Sequence, residues 1–169
     1  VAGSDYTSVR VGTFMGLAIL SAHEGKSWGG YLANIEASEF QESLAALLPE
    51  QMSGAEFLER YGDTGDPVTT PEPDRIYAVR APASQPVHGH QRVRAFAELL
   101  SQPPAEDNRR ALGELMYASH ASMSDCGLGS EGTDLLVELV QRAGPQSGLL
   151  GAKITGGGCG GAVAVIGLR

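Results

Sequence analysis

The sequence predicts an α+β fold, a small antiparallel sheet with helices packed on one face, and three observations carry that prediction. Most of the chain places apolar residues at helical spacing, and the strand-like pieces are few and short. Near the end, a glycine-dense stretch from Gly151 to Gly161 runs directly into the apolar run Ala162-Val163-Ala164-Val165-Ile166. With 169 residues, 42% of them hydrophobic and 19% charged, the chain can bury a core of its own and is expected to form one domain over residues 1–169.

The elements follow in order. From Ser4 to Ala22, Tyr6, Val9, Thr13, Leu17 and Leu20 recur at helical spacing behind an N-cap at Ser4 or Asp5. Gly12 and Gly16, four apart, leave room for another backbone. The segment Gly25 to Gly30 ends that helix, and Tyr31-Leu32-Ala33-Asn34-Ile35 reads as a short strand. Ser38-x-x-Gln41 and Ser53-x-x-Glu56 match the capping box and should open helices over Phe40 to Leu48 and Ala55 to Tyr61. From Gly62 to Pro86 five prolines argue against a long helix, and one extended piece is expected at Ile76-Tyr77-Ala78-Val79. Helical pattern returns at His88 to Leu100 and stops at Pro103-Pro104. It resumes from Glu106 to Ser124, with Leu112, Leu115, Met116, Ser119 and Met123 on one face. Thr133 is expected to cap a helix from Asp134 to Arg142, closed by Gly144-Pro145.

Charge and cysteine usage exclude several functions. A net charge of −8 opposes binding to a nucleic-acid backbone, which draws on clustered Lys and Arg. Two cysteines, Cys126 and Cys159, make neither a metal pattern nor a disulfide framework, which suits a reducing, cytoplasmic setting. No apolar run approaches the length of a membrane span and no signal peptide is visible, so no membrane partner is expected. The first residue is Val, giving the expectation of a piece cut from something longer.

The glycine loop carries the clearest chemical signal. Three consecutive glycines suit a place where the backbone needs φ > 0 or must come close to another group. Successive amides without side chains form a concavity for phosphate oxygens, to which Thr155 can add a hydroxyl. The GxxxxGK[ST] order is absent and a strand follows rather than a helix, so this is no Walker loop. On its own the loop fits a ligand-free β-hairpin as well as a phosphate contact.

Four stretches together resemble the C-terminal domain of the GHMP small-molecule kinases. Leu115-Met116-Tyr117-Ala118-Ser119-His120-Ala121-Ser122 is similar to that family's LMxxSHxS, Thr133-Asp134-Leu135-Leu136-Val137 to ELDxLV, and Gly151 to Gly161 to its third motif, GAKxTGGGxGG. Ser4 to Arg10 resembles the second motif, SEYxxRR. The order matches over nearly the whole chain, and the sugar-kinase branches, galactokinase and especially L-arabinokinase, look nearest. Where galactokinases carry RxxHVxxExxRV, Val87 to Val93 here lacks the glutamate, while Asp66-Pro67-Val68 and Cys126 to Asp134 look like the arabinokinase branch. The sugar therefore stays open.

The resemblance implies an ATP-dependent sugar 1-kinase that moves the γ-phosphoryl of Mg·ATP to the anomeric hydroxyl of a monosaccharide. The alternative is a sugar- and ATP-binding regulator without turnover. The family's first glycine motif and its catalytic aspartate lie upstream of the matched region, so no catalytic residue and no metal ligand is expected within this chain, which alone should be inactive and bind no cofactor tightly. Tyr6 matches the family tyrosine that lies against the sugar. Thr155, Gly156, Gly157, Gly158 and Gly160 are implied to support the phosphate-binding loop. Tyr6 and Gly157 are expected on one side of the molecule, within an apolar patch that favours a homodimer of the isolated domain.

The remaining candidates read as structural. Arg10 is expected in an intradomain ion pair, and His120 as a core histidine with a hydrogen-bonded ring, with no carboxylate at ligand spacing. His88 and His90 sit in a non-helical segment with too few ligands for a metal. Asp134 complements a helix dipole, Cys159 is a small filler, and strand alternation turns Lys153 to solvent.

Overall fold

The computed structural model describes residues 5–158 and 161–168, and these divide into two compact units. One holds residues 7–91; the other joins the residues up to 6 with those from 92 onward.

In the first unit, α1 (Tyr6–Glu24) supplies Val11, Met15, Ile19 and Leu20, each at most 1% exposed. Its two glycines are where other chain segments approach. A Cβ on Gly12 would stand 2.0 Å from the Ala78 carbonyl oxygen, and one on Gly16 would stand 2.5 Å from the Ala83 Cβ. The helix ends at Gly25, as expected. The piece expected as a strand at residues 31–35 is instead a 3-10 turn, Leu32–Asn34, which buries Leu32 and Ile35. A short apolar run between polar residues does not distinguish the two by pattern alone.

α2 (Ala37–Glu39) continues into a π-helical turn, Phe40–Leu44, and a 3-10 turn, Ala45–Leu47. This segment buries Phe40, Leu44 and Leu48. The capping box expected at Ser38 is not used, because the helical segment begins one residue earlier, behind Glu36, with no side-chain cap. The second box is used: in front of α3, Ser53 Oγ accepts from the Glu56 amide. β1 (Gln51–Ser53) precedes α3 (Gly54–Tyr61) and pairs antiparallel with β2 (Ile76–Ala78), Met52 opposite Tyr77.

α4 (Arg80–Ser101) corrects the expected boundary, starting eight residues before His88 and containing both Pro82 and Pro86. Pro82 lies in the first turn, where a missing N–H leaves no intrahelical bond unmade. Pro86 has no amide to give the Pro82 carbonyl; the Thr13 hydroxyl, which donates to the Val9 carbonyl at 2.8 Å, also reaches that oxygen at 3.2 Å and shares its proton between the two. His88 and His90 are therefore helical, and the His88 ring meets Phe40 edge-on at 5.8 Å.

In the second unit, α5 (Glu106–Asp125) and α6 (Glu131–Ala143) pack against β3 (Leu149–Ile154), which pairs antiparallel with β4 (Val163–Gly167). The two ladders are separate, so the single sheet of the sequence reading becomes two two-stranded ones within the α+β class. α5 comes down to the bare backbone of β3: a Cβ on Gly113 would stand 1.9 Å from the Leu150 carbonyl oxygen, and one on Gly151 would stand 2.5 Å from the Gly113 Cα. Leu112, Met116 and Met123 of α5, Val137 of α6, and Ala152 and Ile154 of β3 are buried in this unit. The cap of α6 lies three residues before the expected one. Ser130 is the N-cap and Thr133 is its third helical residue, the two forming a reciprocal capping box in which Thr133 stands where Glu or Gln is usual.

Candidate functional site

The glycine loop closes the β3–β4 hairpin. The Thr155 amide donates to the Ala162 carbonyl at 3.1 Å, and the Gly158 amide donates to the Thr155 carbonyl at 3.3 Å. Within that four-residue turn Gly156 has φ +63° and Gly157 lies outside the left-handed region, the φ signs of a type II′ turn. Gly158 returns to φ +77°. The Thr155 hydroxyl faces the Ala162 carbonyl at 3.4 Å. The amides of Thr155 and Gly158 thus hold the turn's own shape rather than pointing outward as anion donors.

Two walls bound the loop. At Gly158, a Cβ would stand 2.9 Å from Leu128 Cβ, 3.2 Å from Met123 Cε and 3.4 Å from Ile154 Cδ1, so the end of α5, the turn after it and β3 make an apolar floor. The Gly129 amide donates to the Gly158 carbonyl at 2.9 Å and joins the loop to the segment before α6. At Gly157, a Cβ would stand 3.1 Å from Tyr6 Cε2 and 3.3 Å from Tyr6 Cδ2. The Tyr6 ring therefore occupies the space beside Gly157. Tyr6 keeps 43% of its surface exposed, and Gly156 and Gly157 are also exposed. Gly160 and Cys159 lie outside the described residues.

Other candidates take clear places. In the first unit Arg10 holds Asp66 with two bonds, Nε to Oδ2 and Nη2 to Oδ1, each 2.7 Å. The Asp66 side chain has no exposed surface, and it also accepts from the Val68 amide and the Thr69 hydroxyl. The Arg10 guanidinium holds this carboxyl far below the usual carboxylate range, with the Thr69 and Val68 bonds adding to the effect against the cost of burial. Arg10 also lies over the Phe14 ring at 5.0 Å. The expected ion pair is present, and its partner, 56 residues away, is what the sequence left unnamed.

His120 is only partly buried, and its ring differs from the expectation. Nε2 lies 3.4 Å from Asp134 Oδ1, and Nδ1 is buried with no hydrogen-bond partner among the described residues. A carboxylate thus stands beside it in space, on the next helix rather than at a sequence spacing. Asp134 keeps its place in the first turn of α6 and in addition reaches His120, with its Oδ1 3.2 Å from where a Cβ on Gly129 would be. Lys153 is half-buried rather than turned to solvent, and burial pushes its pKa down. Cys126 donates to the Ser122 carbonyl at 3.2 Å, and burial, with Asp125 beside it, pushes the thiol up to about 11, which keeps it protonated.

Among the described residues no group of three or more His, Cys, Asp or Glu is placed to hold a metal, and no helix is long and apolar enough to cross a membrane. A groove of about 540 Å³ between α4 and α5, lined in part by Ala95, Leu99, Ala111 and Leu115, includes neither Tyr6 nor the loop. The sequence reading did not single out Gly113, and it placed Leu128 and Gly129 only within a helix-breaking stretch similar to the arabinokinase branch. The signal for Gly113 was a glycine inside a strong helical pattern, which costs helix stability unless a close approach requires it.

Comparison with known proteins adds the following. Residues 95–168 match the family described as GHMP kinases C terminal. Over 99% of its length the chain is 39% identical to L-arabinokinase of Arabidopsis thaliana, of which it covers 19%. Over 44% of its length it is 45% identical to galactokinase of Mycobacterium tuberculosis (strain ATCC 25177 / H37Ra) and to galactokinase of Mycobacterium bovis (strain BCG / Pasteur 1173P2), covering 18% of each. The chain thus spans less than a fifth of the length of each of these relatives.

Proposed function

We propose that this chain, whose residues 95–168 form a GHMP kinase C-terminal domain, is the C-terminal part of an ATP-dependent sugar 1-kinase of the L-arabinokinase or galactokinase kind. In that reading a longer protein moves the γ-phosphoryl of ATP to the anomeric hydroxyl of a monosaccharide. Such transfers rest mostly on positioning and charge stabilisation. Mg·ATP, when bound, supplies the phosphoryl group and neutralises its charge. The described residues offer no acidic cluster for the metal, and its ligands are not assigned to this chain.

What this chain contributes is a shaped surface. Tyr6 offers a flat ring with an exposed side, suited to the apolar face of a sugar, and its hydroxyl is a polar handle. The Thr155–Gly158 turn, rigid through its own hydrogen bonds, backs the phosphate-binding loop of an upstream domain rather than donating to phosphate itself. We place the longer protein in the cytoplasm on the cysteine usage of this chain. A homodimer of the isolated chain would cover the exposed Tyr6 side.

The observation that carries the proposal is the contact between Tyr6 and Gly157, which brings together two motifs at opposite ends of the sequence. The test is phosphoryl transfer from ATP to L-arabinose and to galactose by the longer protein, with this chain alone assayed beside it. Sugar 1-phosphate from the longer protein and none from the chain above a heat-killed control is the expected result. Sugar and ATP binding without product would favour the regulator reading, and turnover by the chain alone would overturn the division of labour.

A further inference from the structure

We infer that Tyr6 is a positioning residue for the glycine loop: its ring is the wall that sets Gly157, so displacement of the ring is felt along the turn to Gly158. The inference deepens the sugar-kinase reading and rests on it for the identity of any ligand at the exposed side of the ring. The coupling itself rests on geometry alone.

The loop is restrained from two sides by different means. Gly158 is held by the apolar floor of Leu128, Met123 and Ile154 and by the Gly129 amide on its carbonyl. Gly157 needs no left-handed conformation, and what excludes a side chain there is the Tyr6 ring, with Cε2, Cδ2 and Cζ at 3.1, 3.3 and 3.7 Å from a Cβ position. Distances of that kind put the ring beside bare backbone, in the space that a side chain at 157 would need. Among the described residues the Tyr6 hydroxyl makes no hydrogen bond, so the ring and not the hydroxyl makes the contact. A close-packed contact has few arrangements, so a shift of the ring cannot be absorbed locally and passes to the peptide beneath it. A group that stacks on the open side of Tyr6 would therefore change the conformational freedom of the turn, and a Cβ at 157 would crowd the ring from the other side.

The test needs no ligand, so its failure is separable from failure of the kinase reading. Amide hydrogen exchange is measured by NMR on this chain and on the variants Tyr6→Ala and Tyr6→Phe, at Thr155, Gly158 and Gly129, whose bonds hold the loop. Tyr6→Ala is expected to accelerate exchange at Gly158 by about tenfold, with Tyr6→Phe within about twofold of the unaltered chain. In Gly157→Ala, the ring resonances of Tyr6 should shift, because the added methyl displaces the ring. Unchanged exchange in Tyr6→Ala overturns the inference, and equal acceleration in Tyr6→Phe overturns it by assigning the effect to the hydroxyl. Should Tyr6→Ala not fold, Gly157→Ala decides: an unmoved Tyr6 ring overturns the inference and a displaced one supports it.

Discussion

Residues 62–75 and the glycine loop are both irregular, yet they are held by opposite means. The first is fixed around a fully buried carboxylate: Asp66 accepts from Arg10 twice, from Thr69 and from Val68. The second is shaped by turn hydrogen bonds, an apolar floor and a tyrosine ring. A charge-held segment should answer to pH and to loss of the partner charge. A shape-held one should answer to added volume and to backbone strain, while leaving its outer face open. The exposed Gly156 and Gly157 show that open face, whereas the Asp66 side chain shows none.

The largest expected effect breaks the first region. Arg10→Ala leaves a buried carboxylate without its counter-ion and should destabilise the chain by about 3–5 kcal/mol in denaturant unfolding. A loss under about 1 kcal/mol, the range of exposed pairs, would show that the pair is ornamental.

Asp66→Asn should cost less, about 2 kcal/mol near neutral pH, since an amide keeps part of the hydrogen bonding. The folded-state pKa of Asp66 lies below its unfolded value, so its contribution is present above the unfolded value and is lost as pH falls through the window below it. The difference between the unaltered chain and Asp66→Asn should therefore be constant from about pH 5 to 7 and shrink below about pH 4. A difference that grew on acidification would reverse the assigned sign.

In the second region Gly158→Val should destabilise by about 1–3 kcal/mol, because φ +77° strains a β-branched residue. Contact with Leu128 Cβ adds to that strain. Gly157→Ala should cost less, about 1 kcal/mol, since only the Tyr6 ring must give. The Gly158 loss should not vary between pH 3 and 7, and a pH-dependent loss there would undo the contrast with Asp66. Equal losses at 157 and 158 would mean that backbone strain is not what separates them.

Local chemistry was legible in the sequence where it acts over a few residues. The helix of α1 with its small-residue face, the Ser53 capping box, the extended piece at Ile76 and the terminal strand all follow from spacing and capping. The sequence misplaced the start of α4, because the Pro82 carbonyl left without the Pro86 amide is met by the Thr13 hydroxyl, 73 residues before Pro86, which it shares with the Val9 carbonyl. It did not give the partners of Arg10 and His120, because Asp66 and Asp134 reach them only through the fold. At the candidate site the motifs named Tyr6 and the glycines, and the identity of the wall each glycine meets required coordinates. Position 157 teaches this most plainly: a run of three glycines suggests backbone conformation for all of them, whereas there the reason is a ring.

The most direct test of the central claim, that Tyr6 and the glycine loop form one substrate-facing surface, is steady-state kinetics of Tyr6→Ala in the longer protein with the sugar as the varied substrate. The expected result is a fall in kcat/KM for the sugar of about tenfold or more, the loss of one well-packed aromatic wall. A kcat/KM for the sugar within about twofold of the unaltered protein would contradict the account, because a ring that lies against the loop and faces the substrate cannot be removed without being felt.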